Sequence, residues 1–115
     1  MTNTTDQTRF DERTIQGRDD NGDAEVVTIW IDYRKGGLWS VGRAVNIAER
    51  ESRIPRPEDE LFSGFELGDA LESANATLDA DLQASSDNDD HNHEVRPFLE
   101  SELRHKLERW FFDHA

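Results

Sequence analysis

Val26-Val27-Thr28-Ile29-Trp30-Ile31-Asp32-Tyr33-Arg34-Lys35-Gly36-Gly37-Leu38-Trp39-Ser40-Val41-Gly42-Arg43-Ala44-Val45 is the stretch whose reading decides the fold. β-Branched and aromatic residues dominate both sides of a Gly-Gly pair, the composition of two strands joined by a tight turn. A three-residue loop, Lys35-Gly36-Gly37, pairs Tyr33 with Trp39, Ile31 with Val41 and Val27 with Val45, with Gly37 in the left-handed position such a loop requires. That register gathers Val27, Ile29, Ile31, Tyr33, Trp39, Val41, Val45 and Ile47 on one face. A two-residue loop would scatter them, because a slip of one residue turns each side chain to the other side of a sheet. Arg43 is the misfit on the apolar face and is expected to reach past the sheet end or to find an acid. On the opposite face Trp30 lies across from Gly42, among Thr28, Asp32, Ser40 and Asn46.

Working toward the N-terminus, Asp20-Asn21-Gly22-Asp23 predicts a hairpin with a type I′ turn. It joins a short strand around Arg13–Arg18 to the strand Ala24–Arg34, and the polar residues 1–10 read as a disordered end. Toward the C-terminus, residues 49–62 read as a charged, Pro-containing linker. Ser63-x-x-Glu66 has the pattern of a capping box, with Phe62 and Leu67 placed as a hydrophobic staple. An acidic helix over 63–84 follows, its apolar stripe formed by Leu67, Ala70, Leu71, Ala74, Leu78 and Leu82. Residues 85–95 are polar and read as a loop. A C-terminal helix over 96–113 has Pro97 in its first turn, a stripe of Phe98, Leu99, Leu103, Leu107, Trp110 and Phe111, and the i,i+4 pairs Glu100–Arg104 and Glu102–Lys106. The expected architecture is a single α+β domain over 11–115, a three-stranded antiparallel β-meander over 11–48 followed by two helices. The C-terminal helix is expected to cover the apolar sheet face.

The chain has 115 residues, 26 acidic and 13 basic, for a net charge of −13. Leu, Ile, Val and Phe account for 25 residues, enough for one folded domain with a thin core. With no cysteine, disulfides, thiolate metal sites and cysteine nucleophiles are excluded. No stretch approaches the apolar length of a membrane span, and Met1–Asp6 has neither the basic nor the apolar run of a secretory leader. A cytoplasmic protein is expected.

The charges are unevenly placed. No basic residue lies between Arg56 and Arg96, whereas twelve acids do; from Val26 to Arg56 the balance is reversed to a net +3. Eleven of the 13 basic residues are Arg, and Asp outnumbers Glu. In composition and size the chain resembles small acidic proteins of halophilic archaea. Carboxylate repulsion that would loosen such a chain at low salt is screened at molar salt, where the Debye length falls to about 3 Å.

Little in the chain points to catalysis, and no enzyme activity or cofactor is expected: it has no Gly-x-Ser-x-Gly, no phosphate-binding glycine loop and no calcium-loop pattern. His91, His93 and Glu94 are the one cluster of metal-ligand type. Alternating residues in a polar loop do not provide the fixed three- or four-ligand geometry a metal needs, so a solvated loop is the preferred reading. Trp30, Arg34, Lys35 and Arg43 are the candidate binding residues. An indole beside cations offers a stacking platform for single-stranded nucleic acid, but Trp opposite Gly is equally a structural pairing, and molar salt weakens phosphate attraction. The expectation is therefore a non-enzymatic binding or regulatory protein, self-associating or bound to a protein partner, with nucleic acid as the alternative and no membrane contact.

Overall fold

The computed structural model describes residues 7–49, 57–84 and 94–114. Strands β1 (Gln7–Arg18), β2 (Ala24–Arg34), β3 (Leu38–Val45) and β4 (Glu60–Gly64) form one antiparallel sheet in sequential order. Helices α1 (Leu67–Ala84) and α2 (Glu100–His114) follow. The class is α+β, an antiparallel sheet and then two helices, with four strands instead of the three expected.

The central hairpin has the register its hydrophobic alternation dictates: Tyr33 opposite Trp39, Ile31 opposite Val41 and Val27 opposite Val45. Gly37 closes the loop, its N–H donating to the Arg34 carbonyl at 3.1 Å, with φ +100° at Gly37 and +106° at Gly36. The strand ends earlier than the alternation suggests. Asn46 turns left-handed at φ 51°, its N–H donates to the Val26 carbonyl, and its side-chain oxygen accepts from the Val26 N–H at 2.7 Å. Asn tolerates this conformation, and it diverts Ile47 into a 3-10 turn, Ile47–Glu49, off the sheet face.

The β1–β2 turn is not type I′. Only Gly22 has positive φ, and its N–H donates to the Asp19 carbonyl at 2.9 Å. The Asp19 carboxylate accepts from the N–H groups of Asn21 and Asp23, so a three-residue loop with glycine in the left-handed position replaces the two-residue turn. β1 also starts earlier than expected, at Gln7. A bulge between Arg9 and Asp11 turns both Phe10 and Asp11 toward the helices. Phe10 stacks on Tyr33 at 5.3 Å and meets Trp39 edge-on at 5.4 Å. Residues 7–10, read as part of a disordered end, therefore belong to the sheet, with the buried Phe10 ring among the groups that anchor them.

β4 lies where a linker was expected. Phe62 pairs with Val41 and Ser63 with Ser40, and a bulge places Leu61 outside the regular pairing. Ser63 is thus a strand residue, not a helix cap; α1 begins at Leu67, and the Glu66 carbonyl accepts its first bond, from the Ala70 N–H. The serine-to-glutamate spacing resembled a cap. The strand wins because β3 offers an edge of unpaired backbone groups, and pairing satisfies them.

The core lies between the sheet and the two helices. Ile15, Val27, Ile29, Ile31 and Val41 meet Leu67, Ala70, Leu71, Ala74 and Leu78 of α1, with Phe98, Leu103 and Trp110 from the C-terminal segment. Both helices share the covering: the acidic helix α1 lies over β2, β3 and β4, and α2 packs on β1. α2 begins three residues after Pro97, which lies in the irregular approach. That approach is tied down by polar groups. The Asn75 side chain accepts from the Phe98 N–H at 2.8 Å and donates to its carbonyl at 3.1 Å. Arg13 donates to the carbonyls of Arg96 and Pro97 and sits 4.7 Å over the Phe98 ring.

Candidate functional site

The four residues singled out for binding do not form one cluster. Trp30 stands on the sheet face opposite the helices, as its register requires, but it is only 2% exposed. Its indole lies flat across Gly42; a Cβ there would come within 2.3 Å of ring atoms. The Arg9 guanidinium sits 4.7 Å above the ring and donates to Asp32 at 2.6 Å and to Glu12 at 2.8 Å. The expected stacking platform is therefore part of a packed polar face, because an exposed indole next to bare backbone gains by covering it and by accepting a cation on top.

Arg43 does find an acid. Its guanidinium binds Asp81 of α1 through two bonds, 2.8 and 3.0 Å, in the paired geometry that suits Arg and carboxylate. The hydrogen bond to Asp81 raises the Arg43 pKa above its ordinary value, more than burial lowers it. One cation of the basic hairpin thus docks on the acidic helix within a single chain. It is a structural clamp between β3 and α1.

Arg34 and Lys35 remain exposed at the tip of the β2–β3 hairpin. What surrounds them follows from chain direction. β4 runs antiparallel to β3 and ends beside Trp39, so α1 starts at this end. α2 returns in the opposite sense and finishes here, where Trp110 meets Tyr33 at 5.2 Å and donates from its indole N–H to the Thr8 hydroxyl at 3.1 Å. Three exposed phenylalanines lie toward the same end. Phe65 is 72% exposed and lies against Gly37 of the turn. Phe111 packs edge-on to Tyr33 and Trp110 while staying half-exposed, and Phe112 is 86% exposed. Exposed Glu66, just before α1, and Asp69, in its first turn, are a few residues away. These exposed phenylalanines, with Arg34, Lys35, Glu66 and Asp69 of the same end, are the candidate interaction surface.

Phe65 and Phe112 were not among the residues singled out from sequence. Phe111 read as part of the buried stripe, and its signal was ambiguous: a Trp-Phe-Phe run on a helix end cannot bury three large rings on one face. Lys106, expected to pair with Glu102, donates instead to the Phe10 carbonyl at 2.6 Å and approaches Asp11 at 3.8 Å, while Glu100 and Arg104 do pair, at 2.7 Å. His91 and His93 lie outside the described residues, and Glu94 is exposed. Among the described residues no three His, Cys, Asp or Glu side chains are placed to hold a metal ion, and no helix is long and apolar enough to cross a membrane.

Tyr33 gives this end of the molecule a spectroscopic reporter. It is the chain's one tyrosine, and burial raises its phenol pKa above the ordinary value. The neutral phenol is the form the fold prefers, so this stabilisation is complete below the unfolded value of about 10 and is lost as pH rises through the higher folded value. Phenolate absorbance should therefore titrate above pH 10 in the folded protein and return to about 10 in denaturant. A midpoint at or below 10 in the folded state would mean Tyr33 is not enclosed.

The chain matches no protein-family model, and no curated protein or solved structure is significantly similar to it.

Proposed function

We propose that the protein is a non-enzymatic binding protein that works by self-association through the hairpin end and is adapted to high salt. The observation that carries this reading is the grouping of Phe65, Phe111 and Phe112, all exposed, at one end of a chain with net charge −13. Large apolar side chains scattered singly over a surface are ordinary, whereas several at one place beside charged residues mark a contact surface. High salt favours such a contact twice: it screens repulsion between two anionic copies and strengthens apolar burial.

Light scattering on the wild type and on a Phe65→Ser/Phe112→Ser variant, at roughly 2 M KCl where the Debye length is shortest, tests the reading. The expected masses are twice the 13.2 kDa of the chain for the wild type and once for the variant. Both side chains are exposed, so the variant should keep the wild-type circular dichroism. A wild type that stays monomeric at every concentration overturns self-association.

Single-stranded nucleic acid is the weaker alternative. The cations Arg34 and Lys35 are at the surface, but the indole that would stack a base lies beneath Arg9. A labelled oligonucleotide that binds at low salt and loses affinity in Lys35→Ala would favour it.

A further inference from the structure

We propose that the association is two-fold, with the Arg34–Lys35 turn of each copy seated against Glu66 and Asp69 of the other, around a centre of phenylalanine side chains. This rests on the self-association proposed above and adds its partner geometry. The antiparallel course of β4, α1 and α2 brings to one end a cationic turn, the acidic start of α1 and the exposed Phe65 and Phe112. Such an end carries the charges of both signs that a self-complementary contact needs. Rotating a second copy by half a turn about an axis through the aromatic patch sets cations against anions on both sides, and every contact is made twice.

The charge inventory favours this arrangement over a head-to-tail one. α1 contains no basic residue from Leu67 to Ala84, so two copies meeting through their α1 faces would oppose only like charges. A head-to-tail contact, turn against the outer face of α1, would set the phenylalanines against an acidic helix face and, unless its rotation closed a ring, would continue into a filament. The two-fold contact buries both patches and neutralises both pairs of acids. Because exposed pairs are screened by salt, the charges set the orientation at moderate ionic strength, while the phenylalanines hold the contact at molar salt.

Charge exchange tests the geometry. One variant carries Arg34→Glu and Lys35→Glu, the other Glu66→Lys and Asp69→Lys. Each is expected to dimerise at least about tenfold more weakly than the wild type, because every crossed pair becomes repulsive. Mixed in equal amounts, the two should form a heterodimer of near wild-type affinity, since both crossed contacts are then attractive again. Native mass spectrometry and light scattering give the readout, at the lowest salt where circular dichroism shows each protein folded. Recovery on mixing also shows that neither variant failed merely by unfolding. Variants that dimerise undiminished, or that fail alone and fail mixed, overturn the two-fold pairing while leaving a wild-type dimer intact. A monomeric wild type overturns the self-association itself, and the pairing with it.

Discussion

Gly42→Val is expected to lower the unfolding free energy by about 3–5 kcal/mol, the range for removing a large aromatic side chain from its packed position. The reason is spatial. A Cβ at position 42 would lie 2.3 Å from two carbons of the Trp30 indole, well inside van der Waals contact, so the ring must leave its seat. It cannot turn aside freely, because Arg9 lies over it and Arg9 is tied to the buried Asp32. Displacing the indole therefore breaks a cation–π contact and strains an ion pair as well as exposing apolar surface. Denaturant unfolding followed by tryptophan fluorescence measures the loss, with a red-shifted emission from the displaced indole. Gly68→Ala is the matched control. That glycine is exposed on α1 with nothing within 4 Å of a new Cβ, so the substitution should stabilise by up to about 1 kcal/mol through helix propensity. A cost below about 1 kcal/mol for Gly42→Val would mean that the Trp30 packing described above does not exist.

Leu103→Ala is expected to cost about 2–5 kcal/mol, the usual range for emptying a fully buried leucine site. Leu103 is 0% exposed and, among the described residues, is the one completely enclosed side chain that α2 contributes to the core. Domains of this size commonly have only about 5–15 kcal/mol of total stability, so the loss is a large fraction of the whole. The effect should be local first. Other ties of α2 include Trp110 against Tyr33 and Thr8, Phe111 against Tyr33, and Lys106 on the Phe10 carbonyl. Amide exchange in α2 should therefore accelerate before exchange in β2 and β3. Leu99→Ala, at the half-exposed residue that precedes α2, should change stability by less than about 0.5 kcal/mol. Equal costs at the two positions would contradict the stripe that orients α2. Release of α2 would also carry Phe111 and Phe112 away from the hairpin end, so Leu103→Ala should weaken self-association where Leu99→Ala does not.

The two leucines show how much of a helix can be read locally. Spacing alone puts both Leu99 and Leu103 on the apolar stripe of a helix that begins at 96. Moving the start to Glu100 leaves Leu99 outside, and what sets that start is Asn75 and Arg13 holding residues 96–98 in an irregular conformation. Those partners come from α1 and β1, so nothing in the local stretch reports them. Arg43 is the opposite case. Its place on an apolar face follows from the strand period, and a guanidinium there needs a carboxylate. The need was visible in the chain, though not that Asp81 would meet it.

The candidate site was legible only in part. Arg34 and Lys35 follow from the turn, since residues at the tip of a tight hairpin are exposed whatever the rest of the fold does. Trp30 was correctly placed opposite Gly42, but its exposure depended on Arg9, a residue in a stretch that read as disordered. Phe65 and Phe112 lie 47 positions apart in sequence and are brought to one end only by the antiparallel run of β4, α1 and α2.

Alternation and turn chemistry by themselves determined the β2–β3 register, the inward face of that hairpin, the existence of two amphipathic helices and the separation of acidic from basic segments. Each depends on neighbours a few residues apart, where period and φ preference act directly. Tertiary structure alone decided that residues 60–64 join the sheet, that Phe10 enters the core, that the indole of Trp30 is covered, and that three exposed phenylalanines lie toward the same end as a cationic turn. Those outcomes depend on which distant backbone edge or side chain offers the better partner, and such long-range pairing leaves no mark in the local sequence.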